Sequence, residues 1–133
     1  MDRMFPLRQG RITSGYGSRT LKGVYNNHRG IDIVSNDPFQ TVLCPVTGIC
    51  IVKGYSKTFG NRVWIKVAEK EYYVLAHLEY ISPNVFEGKK VLIGSTIGRI
   101  GNTGLSFGRH LHWEFRTDPA NPETAYYSNC LIF

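Results

Sequence analysis

Residues 62–78 read RVWIKVAEKEYYVLAHL, and their pattern decides the fold. Val63, Ile65 and Val67 occupy alternate positions, with Arg62, Trp64 and Lys66 between them. Side chains of a strand point in turn to opposite faces, so residues 62–67 are expected to form a strand buried on one side. The polar link Ala68-Glu69-Lys70 follows, then a second aromatic and β-branched run over 71–78, which together predict an antiparallel hairpin. Working outward, residues 11–14, 31–34, 41–44, 48–55, 96–100 and 110–116 are further strand candidates bounded by Gly, Pro, Asn or Ser. No segment keeps a helical apolar period; 121–127, after Pro119 and containing Pro122, is the one short helix candidate. The expectation is a mainly β, compact single domain of antiparallel sheets with little helix, spanning 1–133.

Composition narrows the class. A chain of 133 residues, 42% apolar and 20% charged, suits one folded domain with its own core. No run approaches the roughly 20 apolar residues of a spanning helix, so no membrane insertion is expected. The first residues show no apolar signal segment. The three cysteines, Cys44, Cys50 and Cys130, form no CxxC pair, which argues against a disulfide scaffold and a thiolate zinc site. Cys44 and Cys50 lie in apolar runs and read as buried hydrophobes. The net charge of +6 favours polyanionic surroundings. Scattered basic residues and the lack of any helix-turn-helix, RNP or zinc-finger motif make nucleic acid an unexpected partner.

The chemistry rests on the four histidines. His110 and His112 form an HxH, whose i and i+2 side chains share a face with Cα atoms roughly 6.6 Å apart, close enough to converge on one small site. His28 and Asp32 form HxxxD. On a straight strand they would lie about 13 Å apart, too far to share a metal with bonds near 2 Å, unless Gly30 provides a turn or bulge. His77 presents its ring from the 71–78 strand. Of these five residues, three N/O ligands would leave a fourth metal position open, as catalytic zinc sites do, and two would remain for acid–base work.

In order along the chain stand Ser14-Gly15-Tyr16-Gly17-Ser18-Arg19, His28-Arg29-Gly30-Ile31-Asp32-Ile33, Gly60-Asn61-Arg62-Val63-Trp64-Ile65 and Ala76-His77-Leu78. Ile100-Gly101-Asn102-Thr103-Gly104 and Gly108-Arg109-His110-Leu111-His112-Trp113-Glu114 complete the series. This ordered set, over about residues 10–118, resembles the lysostaphin/LytM-type zinc endopeptidases of peptidase family M23.

The resemblance implies an antiparallel β domain with a substrate groove, one Zn²⁺ per chain held by His28, Asp32 and His112, and His77 and His110 as the non-ligand catalytic histidines. It implies hydrolysis of peptide bonds in the cross-bridges or stem peptides of bacterial peptidoglycan, at the cell wall, by a monomer. His110 is the better candidate for general base, and His77 for orienting water or stabilising the oxyanion. Tyr16, Arg19 and Tyr25 are further groove candidates. Members of the family commonly carry Tyr two residues before the AHL histidine, where this chain has Leu75. By strand alternation Leu75 would share a face with His77, and the change would alter the groove wall or its packing. The small size and missing signal segment fit a phage-encoded lysin or a domain of a secreted enzyme. The alternative is a non-catalytic binding or activator protein of the same fold, against which all five positions being filled speaks.

Overall fold

The computed structural model describes the backbone of residues 3–14, 17–21, 24–28, 30–117 and 127–128, and the side chains of 3–13 and 30–117. Every regular element among the described residues is a strand. In chain order these are β1 (Arg11–Ser14), β2 (Gly17–Leu21), β3 (Val24–His28), β4 (Ile31–Val34), β5 (Thr41–Leu43), β6 (Gly48–Ser56) and β7 (Gly60–Ala68). β8 (Glu71–Leu78), β9 (Tyr80–Ile81), β10 (Lys90–Val91), β11 (Thr96–Arg99), β12 (Leu111–Arg116) and β13 (Tyr127–Ser128) follow. Residues 121–126 of the expected helix lie outside the described residues.

The main sheet runs β1-β4-β12-β8-β7-β6-β10, with β13 beside β12, and all its pairs are antiparallel. A second sheet has the order β5-β11-β9, and β2 pairs with β3 as a separate hairpin. The β7–β8 hairpin is the one its alternation predicts, with Ala68 paired to Glu71 across Glu69-Lys70. Lys70 takes the left-handed conformation (φ 56°) that so short a turn demands.

One apolar core joins the two sheets. The main sheet contributes Ile31, Ile33, Val63, Ile65, Tyr73, Leu75, Leu78, Leu111 and Trp113, and the second contributes Val42 and Ile97. Val63 and Ile65 are fully buried and Val67 packs against them, as the alternation requires. Cys44 and Cys50 are buried free thiols within this core, and burial pushes the Cys44 thiol up to about 11. No helix among the described residues is long and apolar enough to cross a membrane.

The alternation also leaves a polar row on the opposite face of the central strands. Ile31 and Ile33 of β4, with Leu111 and Trp113 of β12, turn to the core. Asp32, His112, Glu114 and Arg116 therefore turn the other way, onto the face where the site forms.

Candidate active site

Strand register assembles the centre. β4 and β12 pair so that His112 stands directly opposite Asp32. The His112 Nδ1 lies 2.9 Å from Asp32 Oδ1, and its Nε2 lies 2.7 Å from Glu114 Oε1. Glu114 is only 2% exposed and accepts a second bond from Arg116 Nε, at 2.7 Å, on its other oxygen. Asp32, His112, Glu114 and Arg116 thus form a chain of alternating charge when His112 is protonated.

His110 precedes β12 rather than opening it, bridging to Gly101 with its N–H on the Gly101 carbonyl. Its Nδ1 is 2.7 Å from the Gly108 carbonyl, which can only accept, so the proton sits on that nitrogen. Its Nε2 approaches Asp32 Oδ1 at 3.5 Å. The HxH pair therefore converges on one carboxylate, as its spacing predicts.

His77 reaches the same place by breaking the alternation. Between two paired positions β7 moves from Asn61 to Val63 while β8 moves from Leu75 to Leu78, so β8 carries a bulge. His77 sits in that bulge at φ 60°, a conformation non-glycine residues rarely take. The bulge turns its ring toward the site, 4.9 Å from the His110 ring centroid and 5.9 Å from that of His112. This corrects the expectation that Leu75 and His77 share a face. Leu75 lies fully buried in the core, paired with Trp113, so the departure from Tyr there concerns packing and not the groove wall.

Two crossing turns hold the strained histidine. The His77 N–H donates to the Phe59 carbonyl at 2.7 Å, and its Nδ1 lies 2.7 Å from the Thr103 carbonyl. Thr103 Oγ1 donates to the Leu78 carbonyl at 2.7 Å and accepts from the Asn61 N–H at 3.0 Å. Gly60 and Gly104 both have positive φ, and a Cβ on Gly104 would come within 2.2 Å of the Gly60 nitrogen. Only glycine allows both the turn and the crossing.

Position and charge set the protonation states. Burial drives the His77 pKa down to about 4, with the neighbouring His110 and His112 adding to the effect against the Thr103 carbonyl and Asp32. His77 is therefore neutral, with its proton on Nδ1 and Nε2 left as an acceptor. Burial would also lower His112, but its hydrogen bonds to the Asp32 and Glu114 carboxylates, with their negative charges, outweigh it and push its pKa up to about 9. Burial would raise the Glu114 carboxyl, yet His112 and Arg116 hold it below the usual carboxylate range.

His28 ends β3, and the chain enters β4 of a different sheet at Ile31, so the two HxxxD residues do not share one straight strand. Gly30 serves this passage by permitting close approach: a Cβ there would lie 2.5 Å from the Trp113 carbonyl oxygen. The side chain of His28 lies outside the described residues, as do Tyr16 and the side chains of Arg19 and Tyr25. Among the described residues no group of three His, Cys, Asp or Glu side chains is assembled to hold a metal. Asp32 and His112 nevertheless fit one. An anionic oxygen and an imidazole nitrogen face each other at 2.9 Å, and the second nitrogen of that imidazole is already engaged by a carboxylate.

Sequence reasoning assigns no role to Glu114, Arg116 or Thr103. For the first two a signal existed: the i, i+2 step that defines HxH continues through Glu114 to Arg116.

Comparison with known proteins places this architecture. The family model for peptidase family M23 matches residues 26–123. The DD-carboxypeptidase/endopeptidase Mpg of Neisseria meningitidis is 37% identical over 122 residues, 88% of this chain and 27% of that protein. The chain thus spans about a quarter of the length of such curated relatives. The catalytic domain of the prophage-encoded M23 protein EnpA from Enterococcus faecalis superposes with a TM-score of 0.77 at 28% identity, covering 96% of this chain and 93% of that one. A chain of the SpoIIQ–SpoIIIAH pore-forming complex shares the fold at 21% identity, with a TM-score of 0.78 over 95% of this chain and 87% of its own. Function belongs to the residues of a site and not to the fold that carries them. By its sequence match and by the all-strand architecture of its described residues, this chain belongs to peptidase family M23.

Proposed function

We propose that the chain is a zinc-dependent endopeptidase of bacterial peptidoglycan, in which His28, Asp32 and His112 hold one metal ion and His77 and His110 act beside it. The observation that carries this reading is the facing pair of Asp32 Oδ1 and His112 Nδ1 at 2.9 Å, with the His77 and His110 rings packed around it. Bound zinc would supply Lewis-acid polarisation of the scissile carbonyl and of an attacking water.

The chain's own residues do the rest. Two imidazoles and one carboxylate as ligands would leave a fourth metal position for substrate. His110, with Nδ1 anchored on Gly108, takes a proton at Nε2 and passes it toward the leaving amine. His77, neutral and anchored on Thr103, offers only an acceptor at Nε2. That suits it to orienting water by accepting its hydrogen, and does not suit it to donating to an oxyanion.

The name of the relative Mpg makes the D-alanyl bond to a diamino acid the first bond to examine, and a glycyl-glycine bridge the second. A net charge of +6 suits a wall carrying anionic polymers, where the protein would act as a monomer. The test is mass analysis of muropeptides released from purified peptidoglycan, with and without a chelator. Uncross-linked muropeptides whose release vanishes with chelator are expected. Release unchanged by chelator would remove the metal from the reading, and no release at all would favour a binding protein.

A further inference from the structure

Buried beside the proposed metal ligands is a carboxylate–guanidinium pair that the reaction itself does not use. Glu114 spends one oxygen on His112 Nε2 and the other on Arg116 Nε, both at 2.7 Å. Its exposure is 2% and that of Arg116 is 5%, so bulk water competes with neither bond. The guanidinium lies over the Trp64 ring, at 4.7 Å, and over the Phe59 ring, at 5.6 Å. Phe59 also lies 6.0 Å from the His112 ring. Residues 112, 114 and 116 share one face of β12 by strand period, so a single rigid element carries all three.

The chemistry of imidazole gives this arrangement a consequence. A neutral histidine has one protonated nitrogen and one bare one, and only the bare nitrogen can bind a metal. An acceptor fixed at Nε2 keeps the proton there and leaves the lone pair on Nδ1, the nitrogen that faces Asp32. We propose that Glu114, braced by Arg116, is a positioning residue that fixes the tautomer and ring orientation of His112 so that Nδ1 is presented to the metal. The proposal rests on the metal reading given above and adds to it the residue that prepares the ligand. Both oxygens of Glu114 are needed as acceptors. A glutamine in its place has one acceptor and one donor, so it can keep the His112 bond only by setting an N–H against Arg116 Nε, or the reverse.

The test compares the full chain with Glu114→Gln by competitive zinc titration against a chromophoric chelator, with the melting temperature of each metal-free protein measured alongside. The expected result is zinc binding weaker by about 10–100-fold in the variant. Zinc affinity within twofold of the parent, whatever the change in melting temperature, would show Glu114 to be structural only and overturn the proposal. Should the variant not fold, the unaltered protein decides the matter. ¹⁵N NMR of its zinc-loaded form should find the His112 proton on Nε2, and a proton on Nδ1 overturns the proposal. If the parent itself binds no zinc, the metal reading falls and this proposal with it, an outcome distinct from a parent that binds and a variant that binds equally.

Discussion

The two faces of β12 are built from neighbouring residues and obey different physics. On one face Leu111 and Trp113 are fully buried, with Trp113 edge-on to Phe5 at 5.9 Å and tilted against Tyr73 at 5.8 Å. On the other, His112, Glu114 and Arg116 are nearly as buried, yet every contact described for them is charged, polar or aromatic. The apolar face needs only area and fit, and tolerates approximate chemistry. The polar face has no such latitude, because a buried charge that loses its partner costs far more than a misfitted methyl group. Burial alone therefore does not separate core from site; the kind of partner does.

Substitutions on the two faces should fail differently. The largest effect is expected for His112→Ala, which removes a proposed ligand. Zinc affinity should fall beyond the roughly 10–100-fold that losing an outer partner costs, and hydrolysis should reach background. Stoichiometric zinc in that variant would remove His112 from the ligand set. His110→Ala should retain stoichiometric zinc while muropeptide release slows by about 10²–10⁴-fold. A variant as active as the parent would show that His110 moves no proton. On the apolar face, Trp113→Ala should cost about 3–5 kcal/mol in denaturant unfolding. A loss under about 1 kcal/mol there would mean that the core does not depend on this side chain.

The smallest expected effect concerns pH and metal-free protein. The folded-state pKa of His112, about 9, lies above its ordinary 6.5. Its contribution to stability is therefore complete below pH 6.5 and is lost as pH rises through 9. In chelator-treated protein the melting temperature should decline across that window, and the decline should disappear in His112→Ala. An equal slope in both would assign it to other groups. Added zinc should reverse the trend, since a metal competes with the ligand's proton.

Much of this was legible in residues 62–78 and their counterparts. Alternation located β1, β4 and β8 to the residue, and β6, β7, β11 and β12 to within two. β2 and β3 escaped because Gly17–Leu21 and Val24–His28 are largely polar and show no apolar period, and β9 and β10 because two residues carry no period at all. The HxH spacing rightly brought His110 and His112 to one place.

Sequence alone determined which side chains are available and which face of a regular strand each takes, because the two-residue period is a local property of the backbone. It could not determine where that period is interrupted. His77 turns into the site only because β8 bulges opposite β7, and the left-handed φ of 60° there is held by Phe59 and Thr103 from distant turns. Nor could it determine which carboxylate meets which ring nitrogen. That followed from the register of β4 on β12, which set Asp32 against His112 Nδ1, while the strand period set Glu114 against Nε2. A local pattern fixes orientation along one strand; pairing between strands far apart in the chain decides what each side chain faces.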